Sequence, residues 1–383
     1  MFIKRFAVGS AALVLVSSVM LSAAALLPRT PLISLSSNAG NATAALGGPE
    51  LGSSNDKMMI NPVSYSYEAG AGLSDATGDS HVYQLVLDGS PESALRRVAN
   101  AFEMAGEVQR SRQWNPNSPS YFVGSEDGSS PSANLWWGGT GNWFYNNFAE
   151  DFEPPCKKIQ TADDGTEFCG EYVEQKPTPE LLPSEEQILR DAIRIFRATG
   201  LEVSKNAITP FKDEWSAGAS ASLKVNGQDT AIAWGIGYDS KGRLSWASGH
   251  SVRVLDRGAF PTISAKSAVT RLSDWRWYGS PAVSEYPVYP VTSRDFTTGQ
   301  EPASEPAEVT VTITSSKPLL LQIWDKDFGS WLVPGFALGG KESSVNFVVS
   351  LIEGVIELPE PVAIEPEILP QIDEPLNSET STK

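Results

Sequence analysis

A capped helix between residues 184 and 200 is the feature that constrains the fold most strongly. Ser184 and Gln187 begin it with a capping-box arrangement, and Gly200 provides a stop. Its apolar residues recur at intervals of three and four, namely Ile188, Leu189, Ala192, Ile195 and Phe196. Such a stripe predicts an amphipathic helix that buries one face against another layer of structure.

Three predicted strands follow this helix and supply that layer. Asn226-Gly227 joins the first two, and this dipeptide between β-rich runs is a strong signal for a tight hairpin. Ser264 then caps a second, short helix through Leu272. The strands are predicted at residues 215–225, 230–238 and 243–254. Helix, antiparallel meander and helix together predict an α+β layer.

An earlier part of the chain has a similar plan. A strand at 82–88 precedes a helix that Ser90 caps and Pro91 begins, and Gly106 is the predicted stop. Short strands joined by glycine turns follow. The helix sequences ALRRVANAFEMAGE and ILRDAIRIFRATGL have similar apolar spacing, which favours a degenerate duplication, although any two amphipathic helices of this length look alike.

An uncharged apolar run from Phe6 to Leu27 follows Lys4 and Arg5 at the N-terminus. It is long enough to cross a hydrocarbon core of about 30 Å, and the basic residues before it predict a cytoplasmic N-terminus and an exported remainder. Two interpretations stay open, a cleaved signal peptide and an uncleaved signal anchor. We therefore expect a single-pass protein on the extracytoplasmic face of the cell membrane, or a secreted protein if the signal is cleaved.

The two cysteines agree with export. Cys156 and Cys169 flank an acidic segment in which Asp164-Gly165 is a turn signal, so the two arms can fold back on each other. In an oxidising compartment they should form one local disulfide. Metal binding is the alternative, but it lacks nearby histidine or further cysteine.

Composition divides the chain further. Residues 30–62 are rich in Ser, Gly, Ala and Asn, and residues 357–383 are rich in Pro and Glu, so neither segment predicts a packed core. The predicted segments are 1–29 (signal peptide or signal anchor), 30–62 (linker), 63–150 (first α+β module), 151–182 (disulfide loop and linker), 183–298 (second α+β module), 308–356 (C-terminal β segment) and 357–383 (disordered acidic, proline-rich tail).

The charge balance excludes one class of partner. The chain has 29 Lys+Arg against 46 Asp+Glu, a formal net charge of −17, so it lacks the basic character that nucleic-acid binding requires. Two Cys and two His exclude a zinc-finger array. We expect no metal site and no cofactor.

Five segments carry a family resemblance: SYSYEAGAGLSD, SEEQILRDAIRIFRATGL, AWGIGYDSKGRLSWASG, FPTISAKSAVTRL and SWLVPGF. They resemble uncharacterised, membrane-anchored, extracytoplasmic proteins of actinobacteria. The helix, the meander and the pattern from Ser264 to Leu272 also look like PepSY domains, which are small extracytoplasmic modules with proposed inhibitory or regulatory partners. The resemblance implies no catalytic residues. The expected fold class is α+β, with two helix-on-antiparallel-sheet modules, PepSY- or cystatin-like, before a small all-β hairpin segment.

Catalytic candidates are few. His81 and His250 are isolated, without a zinc-binding H-E-x-x-H pattern or a nucleophile elbow around them. Asp213, Glu214 and Asp239 are carboxylates that a hydrolase could use, which would require a paired cleft and a raised pKa.

Two aromatic clusters are the candidate ligand-binding residues. They are Trp136, Trp137, Trp143, Tyr145, Trp275 and Trp277. Neighbouring residues of a strand face opposite sides, so half of them should be core, which we favour for Trp137 and Trp143. An exposed aromatic shelf could stack on a sugar or receive a peptide.

These features favour a non-enzymatic extracytoplasmic protein that binds an envelope protein or a carbohydrate ligand, held at the membrane by its N-terminal helix. One alternative is a carboxylate-based envelope hydrolase, glycosidase- or peptidase-like. The other is a regulatory protein, which would need a transmembrane partner because only five residues precede the apolar run.

Overall fold

The computed structural model describes most of the chain after residue 62. The described residues are 30–35, 63–112, 119–126, 130–147, 155–162, 164–174, 176–286, 307–340 and 345–361. The predicted signal or anchor at 1–29, most of the predicted linker and the tail beyond residue 361 lie outside them. No helix within the described ranges is both long enough and apolar enough to span a membrane.

Strands supply most of the regular structure. In chain order they are β1 (Ile33–Ser34), β2 (Val63–Ala69), β3 (Gly78–Leu87), β4 (Gln109–Arg110), β5 (Ser120–Gly124), β6 (Ser132–Trp136), β7 (Trp143–Asn146), β8 (Cys156–Thr161), β9 (Glu167–Tyr172), β10 (Thr209–Lys212), β11 (Ala217–Val225), β12 (Gln228–Tyr238), β13 (Leu244–Gly249), β14 (Val252–Thr262), β15 (Ala307–Ile313), β16 (Ser315–Trp324), β17 (Ser330–Gly339), β18 (Asn346–Val349) and β19 (Ile356–Glu357). The α-helices of the described residues are α1 (Pro91–Ala101), α2 (Glu185–Ala198) and α3 (Ala265–Ala268).

Eight of these strands form one antiparallel sheet in the order β10-β11-β12-β13-β7-β6-β5-β4. The predicted Asn226-Gly227 turn joins β11 to β12, and both residues have positive φ, 49° and 81°, as a type I′ turn requires. At the centre, β7 pairs with β13, so the strands that follow α1 and those that follow α2 meet edge to edge.

Helices α1 and α2 cover one face of this sheet. Ser90 and Ser184 cap them, each accepting a hydrogen bond from the backbone N–H three residues later. Arg194 of α2 donates from Nη1 to the carbonyl oxygen of Ala101 at 2.9 Å, which ties the two helices together. Their apolar stripes pack on the inward residues of the sheet in one core.

The expected fold class, two helix-on-sheet α+β modules, is wrong. The described chain is mostly β, and the two predicted meanders share one continuous sheet and one core. The physical reason is the fit of side chains where β7 pairs with β13. The large Trp143 and Tyr145 of β7 lie opposite the small Gly249 and Ala247 of β13. Joining the meanders also removes two exposed sheet edges that separate modules would carry.

A five-stranded sheet extends the fold, in the order β14-β3-β17-β16 with β18 on β17. Strand β17 pairs with β3 over residues 330–332 and with β18 over residues 335–338, so β3 and β18 diverge along its side. This sheet mixes strands of both predicted modules with strands of the predicted C-terminal segment. One face contributes to the core beneath the helices, and the other packs on a second core.

Two parallel pairs connect distant parts of the chain. β1 pairs with β19, and β2 pairs with β15. β1 lies within the predicted linker, and its residue Ile33 and the adjacent Leu35 are buried in the second core. These two pairs therefore hold together segments that are far apart in the sequence. The composition places β1 in a linker, and it places β2 and β15 in separate predicted segments.

Arg271 fixes the segment after β18. It is buried, and its Nη1 donates to the carbonyl oxygens of Val349 and Leu351 at 2.6 and 2.8 Å. The guanidinium carbon lies 3.4 Å from the ring centroid of Trp277, a cation–π contact. Burial lowers the pKa of Arg271 to about 10, so the group stays charged at neutral pH.

The predicted disulfide between Cys156 and Cys169 is confirmed, with 5.6 Å between the Cα atoms, and it joins β8 to β9. It indicates an oxidising, extracytoplasmic environment. Nearly every residue of the two strands is exposed, so this hairpin gains little from burial. An isolated two-stranded hairpin is marginally stable in water, and the disulfide supplies stability that packing does not.

Candidate functional site

The structure separates the six aromatic residues that the sequence singles out. Three are core residues: Trp143, Tyr145 and Trp277. Trp137 and Trp275 are half-buried, and Trp136 is 45% exposed. A buried ring cannot contact a ligand at the surface, so the two clusters do not form one aromatic shelf.

Strand alternation causes this separation. Trp143 and Tyr145 of β7 face the helices, whereas Phe144 between them faces away and is 37% exposed. Trp136 on β6 faces away as well, and its ring centroid lies 6.4 Å from that of Phe144 in an edge-to-face arrangement. These two rings begin an aromatic surface on the side of the sheet that the helices leave uncovered.

We call this surface the open face and define it by strand register. Residues opposite one another in neighbouring strands point to the same side, so each row can be followed across the sheet. The open face consists of Gln109, Ser120, Phe122, Gly124, Ser132, Asn134, Trp136, Phe144, Asn146, Thr209, Phe211, Gly218, Ser220, Ser222, Lys224, Asp229, Ala233, Gly235, Gly237, Trp246 and Ser248.

Trp246 is an open-face residue that the sequence reasoning missed. Its ring covers Gly235 and Gly237 of the adjacent strand, and a Cβ on Gly235 would lie 3.0 Å from Cζ3 of the indole. Phe211 covers Gly218 in the same way, 2.5 Å from the Cβ position. Glycines at outward positions of a strand, beside an aromatic residue on the next strand, were the available signal.

Within the part of the chain that the structure describes, Lys224 and Asp229 are the charged strand residues of the open face, and they form an ion pair with each other at 2.9 Å at one end of β11 and β12. Elsewhere the surface is strongly charged: α2 alone carries Glu185, Glu186, Arg190 and Arg197. The open face offers aromatic rings, serine hydroxyls and the carboxamides of Asn134, Asn146 and Gln109 instead. Because the chain is rich in acidic residues, the scarcity of charged side chains across so wide a surface indicates a role for it.

His250 lies where β13 ends and the chain turns into β14. Its Nδ1 is 2.8 Å from Oγ1 of Thr140, and its ring meets that of Trp234 edge-on at 5.5 Å. Burial lowers the pKa of His250 to about 4, so the ring is neutral at pH 7. Among the described residues no carboxylate is recorded in contact with the ring, and these surroundings favour a structural role over acid–base chemistry.

We predict that His250 makes the fold sensitive to acid. Its pKa is about 4 when folded and 6.5 when unfolded, so below pH 6.5 the unfolded chain binds a proton that the folded chain does not. Between about pH 7 and pH 4.5 this should remove roughly 2–3 kcal/mol of stability. Urea unfolding at both values should show that His250→Asn loses less stability than the parent protein. His81→Asn is the matched control, because His81 is exposed; a loss equal to that of His250→Asn would contradict the assignment.

The candidate hydrolase carboxylates Asp213 and Asp239 accept hydrogen bonds within the turns in which they lie. Asp213 accepts hydrogen bonds from the backbone N–H groups of Trp215 and Ser216, both at 2.7 Å, and these bonds lower its pKa. Asp239 accepts from the backbone of Lys241 and Arg243 and pairs with the Arg243 guanidinium. A general acid needs a raised pKa, so this arrangement does not favour hydrolysis.

The described residues contain no group of three or more His, Cys, Asp or Glu side chains placed to hold a metal ion. No protein-family model and no curated protein sequence matches this chain. The resemblance to PepSY-like and actinobacterial envelope proteins therefore stays a prediction, and the functional argument rests on the geometry of the open face.

Proposed function

We propose that this protein is a non-enzymatic extracytoplasmic protein that binds a neutral carbohydrate polymer on the open face. One observation carries the proposal: eight strands of a chain with a formal net charge of −17 present a surface with exposed aromatic rings, whose charged strand residues within the described part, Lys224 and Asp229, pair with each other at one end. The predicted N-terminal helix would hold this surface at the membrane.

The chemistry of a sugar ring matches the groups on this surface. A pyranose has an apolar C–H face, which packs on an aromatic ring, and a rim of hydroxyls, which need hydrogen-bond donors and acceptors. Trp136, Phe144 and Trp246 supply rings, and the carboxamides of Asn134 and Asn146 supply both donors and acceptors. Lys224, the lysine of these strands on the open face, is already paired with Asp229, which disfavours an anionic polymer.

A protein partner fits the same surface less well. The buried centres of protein–protein interfaces are depleted in serine and alanine. The open face, in contrast, is rich in serine that reaches the surface, with Ser120, Ser220, Ser222 and Ser248. Small hydroxyl groups between aromatic rings favour a polyhydroxylated ligand that spans several strands.

Affinity electrophoresis of the full chain tests the proposal. Gels containing a neutral mannan, galactan or glucan should retard the protein in at least one case, and a gel containing polygalacturonate should not. Trp136→Ala with Phe144→Ala should weaken retardation about tenfold or more, because truncating a stacked aromatic removes most of its contact area.

Tyr65→Ala is the matched control, because Tyr65 is 55% exposed on β2, outside the open face. It should leave retardation unchanged. The proposal fails if no neutral polysaccharide retards the protein, or if the Trp136/Phe144 double variant is retarded as strongly as the control.

A further inference from the structure

A cavity lies on the five-stranded sheet, where β3 and β18 diverge along β17. It has a volume of about 290 Å³, and the turn between β11 and β12 overhangs it. Asn226 at that turn donates from Nδ2 to the phenol oxygen of Tyr83 at 2.5 Å, which holds the turn over the sheet. The cavity shares no residue with the open face, so it is a separate site.

The floor of the cavity is apolar. Leu320 and Pro334 face each other across β16 and β17, as do Pro318 and Phe336, so their side chains share one face of the sheet. Tyr83 closes the floor on the β3 side and is itself buried. Such a floor accommodates the apolar body of a small ligand.

The rim of the cavity is polar and electronegative. Asp79 and His81 project from β3, and Gln228 projects from β12. His81 Nδ1 lies 2.8 Å from Asp256, and because a carboxylate only accepts, Nδ1 carries the hydrogen; in the tautomer that this bond selects, Nε2 is an acceptor. None of the described residues that line the cavity is a lysine or an arginine.

We infer that this cavity binds a small organic cation, a primary amine on an apolar body about the size of one aromatic ring. Charge complementarity carries the inference, because among the described residues the lining combines the Asp79 carboxylate, hydrogen-bond acceptors and aromatic rings with no lysine or arginine. The ammonium group would lie at the rim between Asp79 and His81, and the body would lie on Pro334 and Phe336. Anions of the same shape would meet only repulsion from Asp79.

Three probes of matched shape test this inference. The purified full chain should be titrated calorimetrically with 2-phenylethylamine, 2-phenylethanol and phenylacetate. The amine should bind at millimolar concentration or better, the alcohol about tenfold more weakly, and the carboxylate not measurably. Asp79→Asn should weaken the amine about tenfold and leave the alcohol unchanged, since it removes only the charge.

Asp164→Asn is the matched control, because Asp164 lies on the β8–β9 hairpin and its substitution changes the net charge equally. It should leave all three affinities unchanged. Phe336→Ala should weaken the amine and the alcohol together. The inference is overturned if the amine does not bind, if the alcohol binds equally well, or if the two aspartate variants behave alike.

Discussion

Replacement of Gly249 by alanine should lower the free energy of unfolding by about 3 kcal/mol, near the upper end for overpacking of a core. A Cβ at this position would lie 2.6 Å from Cζ2 of Trp143 and even closer to the indole of Trp234. Both indoles are almost fully buried, so neither ring can move aside without disturbing the core. Urea unfolding followed by tryptophan fluorescence measures the change.

Gly78→Ala is the control for this substitution. Gly78 begins β3, and nothing lies within 4 Å of its Cβ position. The same chemical change there should alter stability by no more than about 0.5 kcal/mol. If the two alanine variants unfold at the same urea concentration, the described packing around Gly249 is incorrect.

Replacement of Arg271 by alanine should also cost about 3 kcal/mol. It leaves the carbonyl oxygens of Val349 and Leu351 without their buried donor and removes the cation from the face of Trp277. The desolvation that lowers the pKa of Arg271 to about 10 is relieved in the variant and offsets part of this loss. Urea unfolding followed by tryptophan fluorescence measures this change as well.

Two further variants keep this prediction testable even if the alanine variant fails to fold. Arg271→Lys retains the charge but loses the planar fork, so it should fall between the parent protein and Arg271→Ala. Arg257→Ala removes an exposed arginine of β14 and should be nearly neutral. An Arg271→Lys variant as stable as the parent would show that the guanidinium geometry is unimportant.

Local signals in the sequence predicted local structure well. Ser90 and Ser184 cap helices, Asn226-Gly227 forms the tight turn, and Cys156 pairs with Cys169, because each of these depends on residues close together in the chain. The fold class depended instead on how the two meanders meet. Nothing local to β7 or β13 specifies that Gly249 receives Trp143, so the single sheet was not predictable from either segment alone.

Prediction of the open face from sequence is limited in the same way, because its residues come from distant parts of the chain. Trp136, Trp137, Trp143 and Tyr145 were grouped because they are near one another in sequence, although strand alternation places Trp143 and Trp136 on opposite sides. Trp246, about a hundred residues later, joins Phe144 and Trp136 only through the β7–β13 pairing. Counting strand parity around Trp143 would have separated the rings, but it could not have added the distant one.

The long-range strand pairs set the order in which the molecule can be assembled. Ser34 donates to the carboxylate of Glu357, a residue 323 positions later, where β1 meets β19. When the chain emerges with its N-terminus first, β1, β2 and β3 are therefore present well before their partners β19, β15 and β17. The eight-stranded sheet is complete by Gly249 and can form first, whereas the five-stranded sheet has to wait for the last strands. During that interval β1, β2 and one edge of β3 lack their later partners, and unpaired strand edges of this kind are open to pairing with other chains.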